Sequence, residues 1–229
     1  MPCSNPPPSD LPKGNASSTE KRKTDSTGTM KRPFDRDAMA RAVADFICAA
    51  GFEKSDPNLQ DTPRLVADAW ANELLAGYET DPAHLLSKTA PAPHRQPVFL
   101  TGISFVGVCP HHLLPYEGVA HIGYLPDERI VGFGTLVRLV TMLGARLILQ
   151  EDLAEAVART LLAHLSARGA GCIIEAKQGC VAFRGVRQPQ VRTITKAWAG
   201  SLEDPSCPER ISFEASLGAQ VSSPDSPSD

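Results

Sequence analysis

Cys109-Pro110-His111-His112 places three potential metal ligands within four residues, between two apolar runs. The C-x-x-H spacing of Cys109 and His112 lets one short turn aim both side chains at one ion. A thiolate with an imidazole suits zinc. Two ligands are too few, and the best third candidate is Cys180, in Lys177-Gln178-Gly179-Cys180-Val181-Ala182-Phe183-Arg184-Gly185. Two cysteines and one histidine would leave a fourth tetrahedral position open, as catalytic rather than structural zinc sites do. Zinc held this way would lower the pKa of bound water to about 7 and make it a nucleophile toward an electron-poor carbon. The competing reading is a set of reduced core cysteines beside a hydrogen-bonded histidine pair.

These residues need a frame. Val98, Leu100, Ile103, Phe105 and Val106 run through a β-rich, alternating stretch from Pro97 to Val108, which predicts a strand leading straight into the Cys109 loop. Gly118 to Leu125 predicts a second strand, and Ile130-Val131 resumes the sheet edge or leads into the next helix. Leu136, Leu139, Val140 and Leu143 predict a helix ending near Gly144. Gln150 to Arg168 is the strongest helical stretch, with Leu153, Val157, Leu161 and Leu165 on one face. Cys172 to Ala176 and Val191 to Trp198 predict two further strands. That order gives an α+β fold, an antiparallel four-stranded sheet with two helices on one face. Upstream, Met39, Val43, Phe46 and Ile47 mark a helix ending near Gly51. Asp61-Thr62-Pro63 starts another, with an oxygen-bearing cap and proline in the first turn. Asp81-Pro82 opens a short third through Leu86, and Pro91 to Pro97 is a connector.

A chain of 229 residues suits one domain plus tails. Residues 1–33 and 219–229 are rich in Ser and Pro and poor in large apolar residues, so they are expected to be disordered. The domain spans 34–218. A formal charge of −3 argues against a nucleic-acid or membrane-surface binder. No apolar run reaches spanning length and no apolar leader opens the chain, which predicts a cytoplasmic protein. Six cysteines in a chain this long are not a disulfide framework, and a reducing compartment fits a thiolate site.

At Cys109-Pro110-His111-His112 and Gln178-Gly179-Cys180-Val181-Ala182-Phe183-Arg184-Gly185 the chain resembles GTP cyclohydrolase I. That family carries C-E-H-H and then, after a long gap, H-x-C-V/M-x-x-R-G. Asn58-Leu59-Gln60-Asp61-Thr62-Pro63 resembles its G-L-x-D-T-P helix entry. Val119-Ala120-His121-Ile122-Gly123-Tyr124-Leu125-Pro126 is similar to its V-A-Y-I-P strand, and Leu149-Gln150-Glu151-Asp152-Leu153 to its Q-E-R-L helix. The likeness runs from about Asp35 to about Leu202. It implies the tunnelling fold over 97–202, preceded by N-terminal helices over 34–90, and a homo-oligomer, a decamer of two pentameric rings. It implies a Zn²⁺ cofactor on Cys109, His112 and Cys180. It implies attack at C8 of GTP, loss of formate, and closure to dihydroneopterin triphosphate, the first step of folate and pterin biosynthesis. His111 then takes a proton-transfer role and His112 serves both zinc and catalysis. Glu151 reads guanine, with Gln150 a weaker candidate beside it. Arg138 and Arg184 match phosphate-contacting arginines. His121, on a strand, is read as structural.

Four positions depart from the family pattern. Pro110 replaces the glutamate of C-E-H-H. Gln178 replaces a catalytic histidine and cannot transfer a proton at neutral pH. Gly134-Thr135 replaces a serine-lysine pair, and Leu65 and Asp68 stand where the family has arginine and lysine. At roughly 1 to 3 kcal/mol per charge-assisted contact, such losses weaken triphosphate binding. Two alternatives to GTP hydrolysis follow. One is a same-fold zinc hydrolase that takes a less phosphorylated purine or stops at ring opening. The other is an idle purine-binding or structural paralogue, which the retained ligand triad argues against.

Overall fold

A computed structural model describes residues 34–53 and 55–218, so the tails expected at 1–33 and 219–229 lie outside the described residues. The described chain divides into two units between Glu79 and Thr80.

In the first unit, helix α1 (Arg36–Ala49) starts at Asp35, whose carboxylate accepts from the Ala38 amide at 2.9 Å. That side chain satisfies one of the amides a helix start leaves unpaired. Helix α2 (Thr62–Ala69) has proline in its first turn, but the Asp61 side chain does not cap it. The chain continues through a π-helical turn, Trp70–Leu74, and a 3₁₀ turn, Ala76–Glu79. Asp68 pairs with Arg36 at 3.4 Å and Arg64 at 3.3 Å.

The second unit opens with α3 (Pro82–Leu85), capped by Asp81 onto the Ala83 amide at 2.8 Å. Strand β1 (Thr89–Pro91) pairs with β4 (Arg129–Val131) in a small separate sheet, and only its last residue, Pro91, belongs to the expected connector. The main sheet holds β2 (Val98–Val108), β3 (Pro115–Leu125), β5 (Gly169–Gln178) and β6 (Thr193–Gly200). Its order is β2-β3-β5-β6, antiparallel throughout. Helices α4 (Phe133–Gly144) and α5 (Gln150–Leu165) cover one face. Strand alternation explains that face. Tyr116, Ala120, Ile122, Tyr124, Cys172, Ile174 and Ala176 are buried with Leu136, Leu139, Val140, Leu143, Leu153, Val157 and Leu161 in one core. The expected four-stranded antiparallel sheet with two helices on one face is present.

Part of the other face carries α7 (Pro208–Gly218), which the sequence reading did not foresee. Phe213 is fully buried there, stacked on Phe99 at 4.9 Å and edge-on to Trp198 at 6.0 Å. Glycines make the room. A Cβ on Gly123 would meet the Phe99 ring at 2.9 Å, and one on Gly171 would meet Trp198 at 2.5 Å. Lys196 pairs with Glu214 at 2.9 Å across the same contact. Among the described residues no helix is long and apolar enough to cross a membrane.

His121 lies on this outer face, and its Nδ1 accepts from the Gly102 amide at 3.3 Å. Gly102 sits at φ +76, where the β2–β3 register shifts between Leu100 and Ile103. Burial lowers the pKa of His121, and the opposing pull of Glu175 is smaller. The neutral ring is therefore favoured by folding. Its contribution is present above the ordinary value of 6.5 and is lost as pH falls below it. His121→Gln keeps an acceptor for Gly102 without titrating. Urea melts at about pH 8 and about pH 5 should show a smaller acid loss in this variant than in the parent. An equal loss would assign the acid sensitivity to other groups.

Candidate functional site

The end of β2 fixes the site. The Val108 carbonyl accepts from the Ile148 amide at 3.2 Å, and Val108 bridges Leu147 in parallel. The α4–α5 connection is thereby tied to β2, which sets the first turn of α5 beside Cys109. The turn from Cys109 to Leu114 closes on itself. Leu113 donates to the Cys109 carbonyl and the Cys109 amide to the Leu114 carbonyl, both at 3.0 Å. Leu113 takes the left-handed conformation at φ +54. Cys109 is buried, while His111 and His112 are exposed. Cys109 Sγ lies 3.8 Å from His111 Nδ1.

A four-residue helix, α6 (Gly179–Ala182), follows β5 directly and brings Cys180 to this loop. The close approach requires glycine. A Cβ on Gly179 would lie 2.3 Å from the Pro115 carbonyl oxygen and 3.5 Å from the Leu114 side chain. Beyond α6, Arg184 Nη1 reaches His112 Nε2 at 3.0 Å. A guanidinium only donates, so Nε2 is the acceptor in this contact.

Tyr116 stands beneath the loop and was missed in the sequence reading. It is the first core-facing residue of β3, placed immediately after the ligand turn, and that position was the available signal. Its hydroxyl donates to the Ile148 carbonyl at 3.1 Å, and its ring fills the space over Gly107. Burial raises its pKa most, followed by the charges of Cys109, Glu151 and Asp152. The hydroxyl thus senses both the ligand loop and the first turn of α5.

Adjacent residues at the start of α5 do opposite things. Gln150 is 3% exposed. Its Nε2 donates to the Ile174 carbonyl at 3.1 Å and the Thr193 carbonyl at 3.0 Å. Its Oε1 accepts from Gln178 Nε2 at 2.7 Å and Thr193 Oγ1 at 2.5 Å. All its hydrogen-bonding capacity is used inside the fold, which corrects its reading as a substrate contact. Glu151 is exposed and makes no hydrogen bond or ion pair among the described residues. It lines a cleft of about 400 Å³ with Glu155, Thr195, Lys196, Ala197 and Trp198. Glu155 is engaged by Arg159 at 2.6 Å, while the buried Thr195 hydroxyl has no partner.

Arg138 lies on the exposed side of α4 and donates to Thr135 Oγ1 at 3.2 Å. No hydrogen bond or ion pair ties it to the Cys109 loop or α6 among the described residues. A larger cleft, about 700 Å³, is lined by outer-face residues including Val106, Glu117, Glu175, Lys177 and Arg192. It holds none of the candidate site residues, and Arg192 pairs with Glu175 at 3.5 Å.

The donor chemistry fits zinc, and the fold gathers the donors at one end of the sheet. Cys109 and Cys180 are free thiols on two segments packed together. The side chains do not converge on one point. Among the described residues no three His, Cys, Asp or Glu side chains lie close enough to hold a metal ion. His112 turns its Nε2 lone pair to Arg184 instead.

Comparison with known proteins follows the same segments. The family model for GTP cyclohydrolase I matches residues 39–214. The GTP cyclohydrolase 1 of Chromobacterium violaceum is 41% identical over 172 residues, covering 75% of this chain and 84% of that protein. The protein of the same name from Leifsonia xyli subsp. xyli is 42% identical over 174 residues, covering 75% of this chain and 91% of that one.

Proposed function

The chain belongs to the GTP cyclohydrolase I family, and from that premise we propose that it is a zinc-dependent hydrolase that opens the imidazole ring of GTP at C8. Formate leaves and dihydroneopterin triphosphate forms, the first step of folate and pterin biosynthesis. The observation that carries this reading is the packing of Gly179-Cys180 onto the Cys109 loop, with the first turn of α5 pinned beside it. Cys109, His112 and Cys180 would hold the zinc, whose Lewis acidity makes water a nucleophile near neutral pH.

The chain's own residues supply the rest. The Glu151 carboxylate is unpaired and can accept from the ring N–H and the exocyclic amine of guanine together. His111 presents an imidazole beside Cys109 for proton transfer. Arg184 offers a planar, permanently charged fork for phosphate, and Arg138 a second from α4. A GTP cyclohydrolase I-like enzyme is not the idle paralogue weighed from sequence. The tunnelling fold, a decameric assembly and a cytoplasmic location belong to the same proposal.

A second reading, a purine with fewer phosphates or an arrest at ring opening, draws on the start of α4. Gly134 and Thr135 bring no charge there. Turnover of GTP, GMP and guanosine, followed by loss of the purine absorbance, formate release and pterin fluorescence, separates the two. Two phosphate-binding arginines should favour GTP over guanosine by at least about tenfold in kcat/KM, from contacts of roughly 1 to 3 kcal/mol each. Equal rates would favour the second reading, and no product from any of the three would end both.

A further inference from the structure

Gln150 decides which atom of Gln178 is offered to a ligand. The Gln150 amide end that faces the Ile174 and Thr193 carbonyls must be its NH₂, because both partners only accept. Its Oε1 therefore faces Gln178 and the Thr193 hydroxyl. An acceptor at that point demands a donor from position 178, so Gln178 turns Nε2 inward. The Thr193 hydroxyl, 3.1 Å from the Ala176 carbonyl, lies 3.4 Å from the same Nε2. The Oε1 of Gln178 is left over. It has no hydrogen-bond partner among the described residues, although the side chain is half-buried. Gln178 also stands at the N-cap position of α6 without capping it. A held amide with an unused carbonyl, two residues before Cys180, is a prepared acceptor.

We propose that Gln178 is a substrate-contacting acceptor, whose Oε1 takes an N–H or O–H donor of the purine nucleotide while Gln150 and Thr193 act as positioning residues. This rests on the nucleotide reading of the site. It also gives a physical reason for the departure at this position. Histidine meets the same demand, since one ring N–H donates inward to Gln150 and the other nitrogen faces outward as an acceptor. Glutamine and histidine are thus interchangeable as acceptors here, and only histidine can also carry a proton. An ionised glutamate cannot donate inward and would set its oxygens against Gln150 Oε1.

The test is GTP binding to the metal-loaded full-length chain, measured by rapid mixing before turnover. Gln178→Leu should weaken GTP by about tenfold, the value of one lost hydrogen bond. Gln178→His should bind within about threefold of the parent. Gln178→Glu should be weaker than the parent because its orientation is lost. Thr193→Val should weaken GTP without touching it, and adding it to Gln178→Leu should cost nothing further. Coupling of that kind separates positioning from a general loss of fold. Gln178→Leu binding within about twofold of the parent would overturn the acceptor role, as would Gln178→Glu binding as well as the parent. In either case the nucleotide reading stands. A parent chain that binds no GTP would overturn that reading and this inference together.

Discussion

Cys180→Ser is expected to leave the purified chain with less than about a tenth of the parent's zinc when both are equilibrated against the same chelator. A thiolate is a soft, anionic donor that suits zinc, whereas a serine hydroxyl stays protonated at neutral pH. With only Cys109 and His112 left, the site falls below the three protein ligands of a catalytic zinc. The fold should survive. Cys180 is only half-buried, and the docking of α6 depends on Gly179 against the Pro115 carbonyl. Metal content and far-ultraviolet circular dichroism, read on the same samples, check this. Formation of product from GTP should fall in step with zinc. Full zinc retention in a normally folded variant would remove Cys180 from the ligand set. It would also leave the His112–Arg184 contact as the resting arrangement of the loop.

Glu151→Gln is expected to weaken guanine nucleotides by about 2 kcal/mol, roughly 30-fold, with zinc content unchanged. The substitution conserves volume and leaves the start of α5 in place. It exchanges one acceptor oxygen for a donor, set against the N–H groups of guanine. The cost arises because those donors would lose water on entering the cleft without regaining a partner. Adenine nucleotides have no matching pair of donors, so their weaker binding should change little. Calorimetric titration of both nucleotides into parent and variant reads this directly. A parent that binds guanine and adenine nucleotides equally would contradict base reading by Glu151.

Much of this frame was legible because its signals are local. Val98, Leu100, Ile103, Phe105 and Val106 already mark β2, and Leu153, Val157, Leu161 and Leu165 mark the buried side of α5. Short elements were less visible. The three residues of β1 carry no periodicity, so nothing local announces their pairing with β4. Helix α7 was hidden for another reason. Phe213 is its only fully buried residue among those described, and the pocket that receives it depends on the absence of side chains at Gly123 and Gly171. That is a tertiary fact with no local pattern.

The site divides in the same way. Ligand types and spacing marked Cys109, His112 and Cys180. The family motif set Gln150 and Glu151 side by side, but one helical step of about 100° separates them. Gln150 turns in to join β5 and β6, and Glu151 turns out to the cleft. Adjacency in sequence concealed opposite roles. Nor could spacing show that Arg184 and His112, far apart in the chain, would meet at 3.0 Å.

Release of formate from C8 reports ring hydrolysis itself. Metal-loaded chain, the same chain stripped of zinc, and the stripped chain given zinc again are each incubated with GTP labelled at C8. Labelled formate is counted, and pterin is measured in the same samples by its fluorescence. Equal amounts of the two are expected from the loaded chain, neither from the stripped chain, and both again once zinc returns. A zinc-loaded chain that binds GTP yet releases no formate would contradict hydrolysis of C8 through to formate.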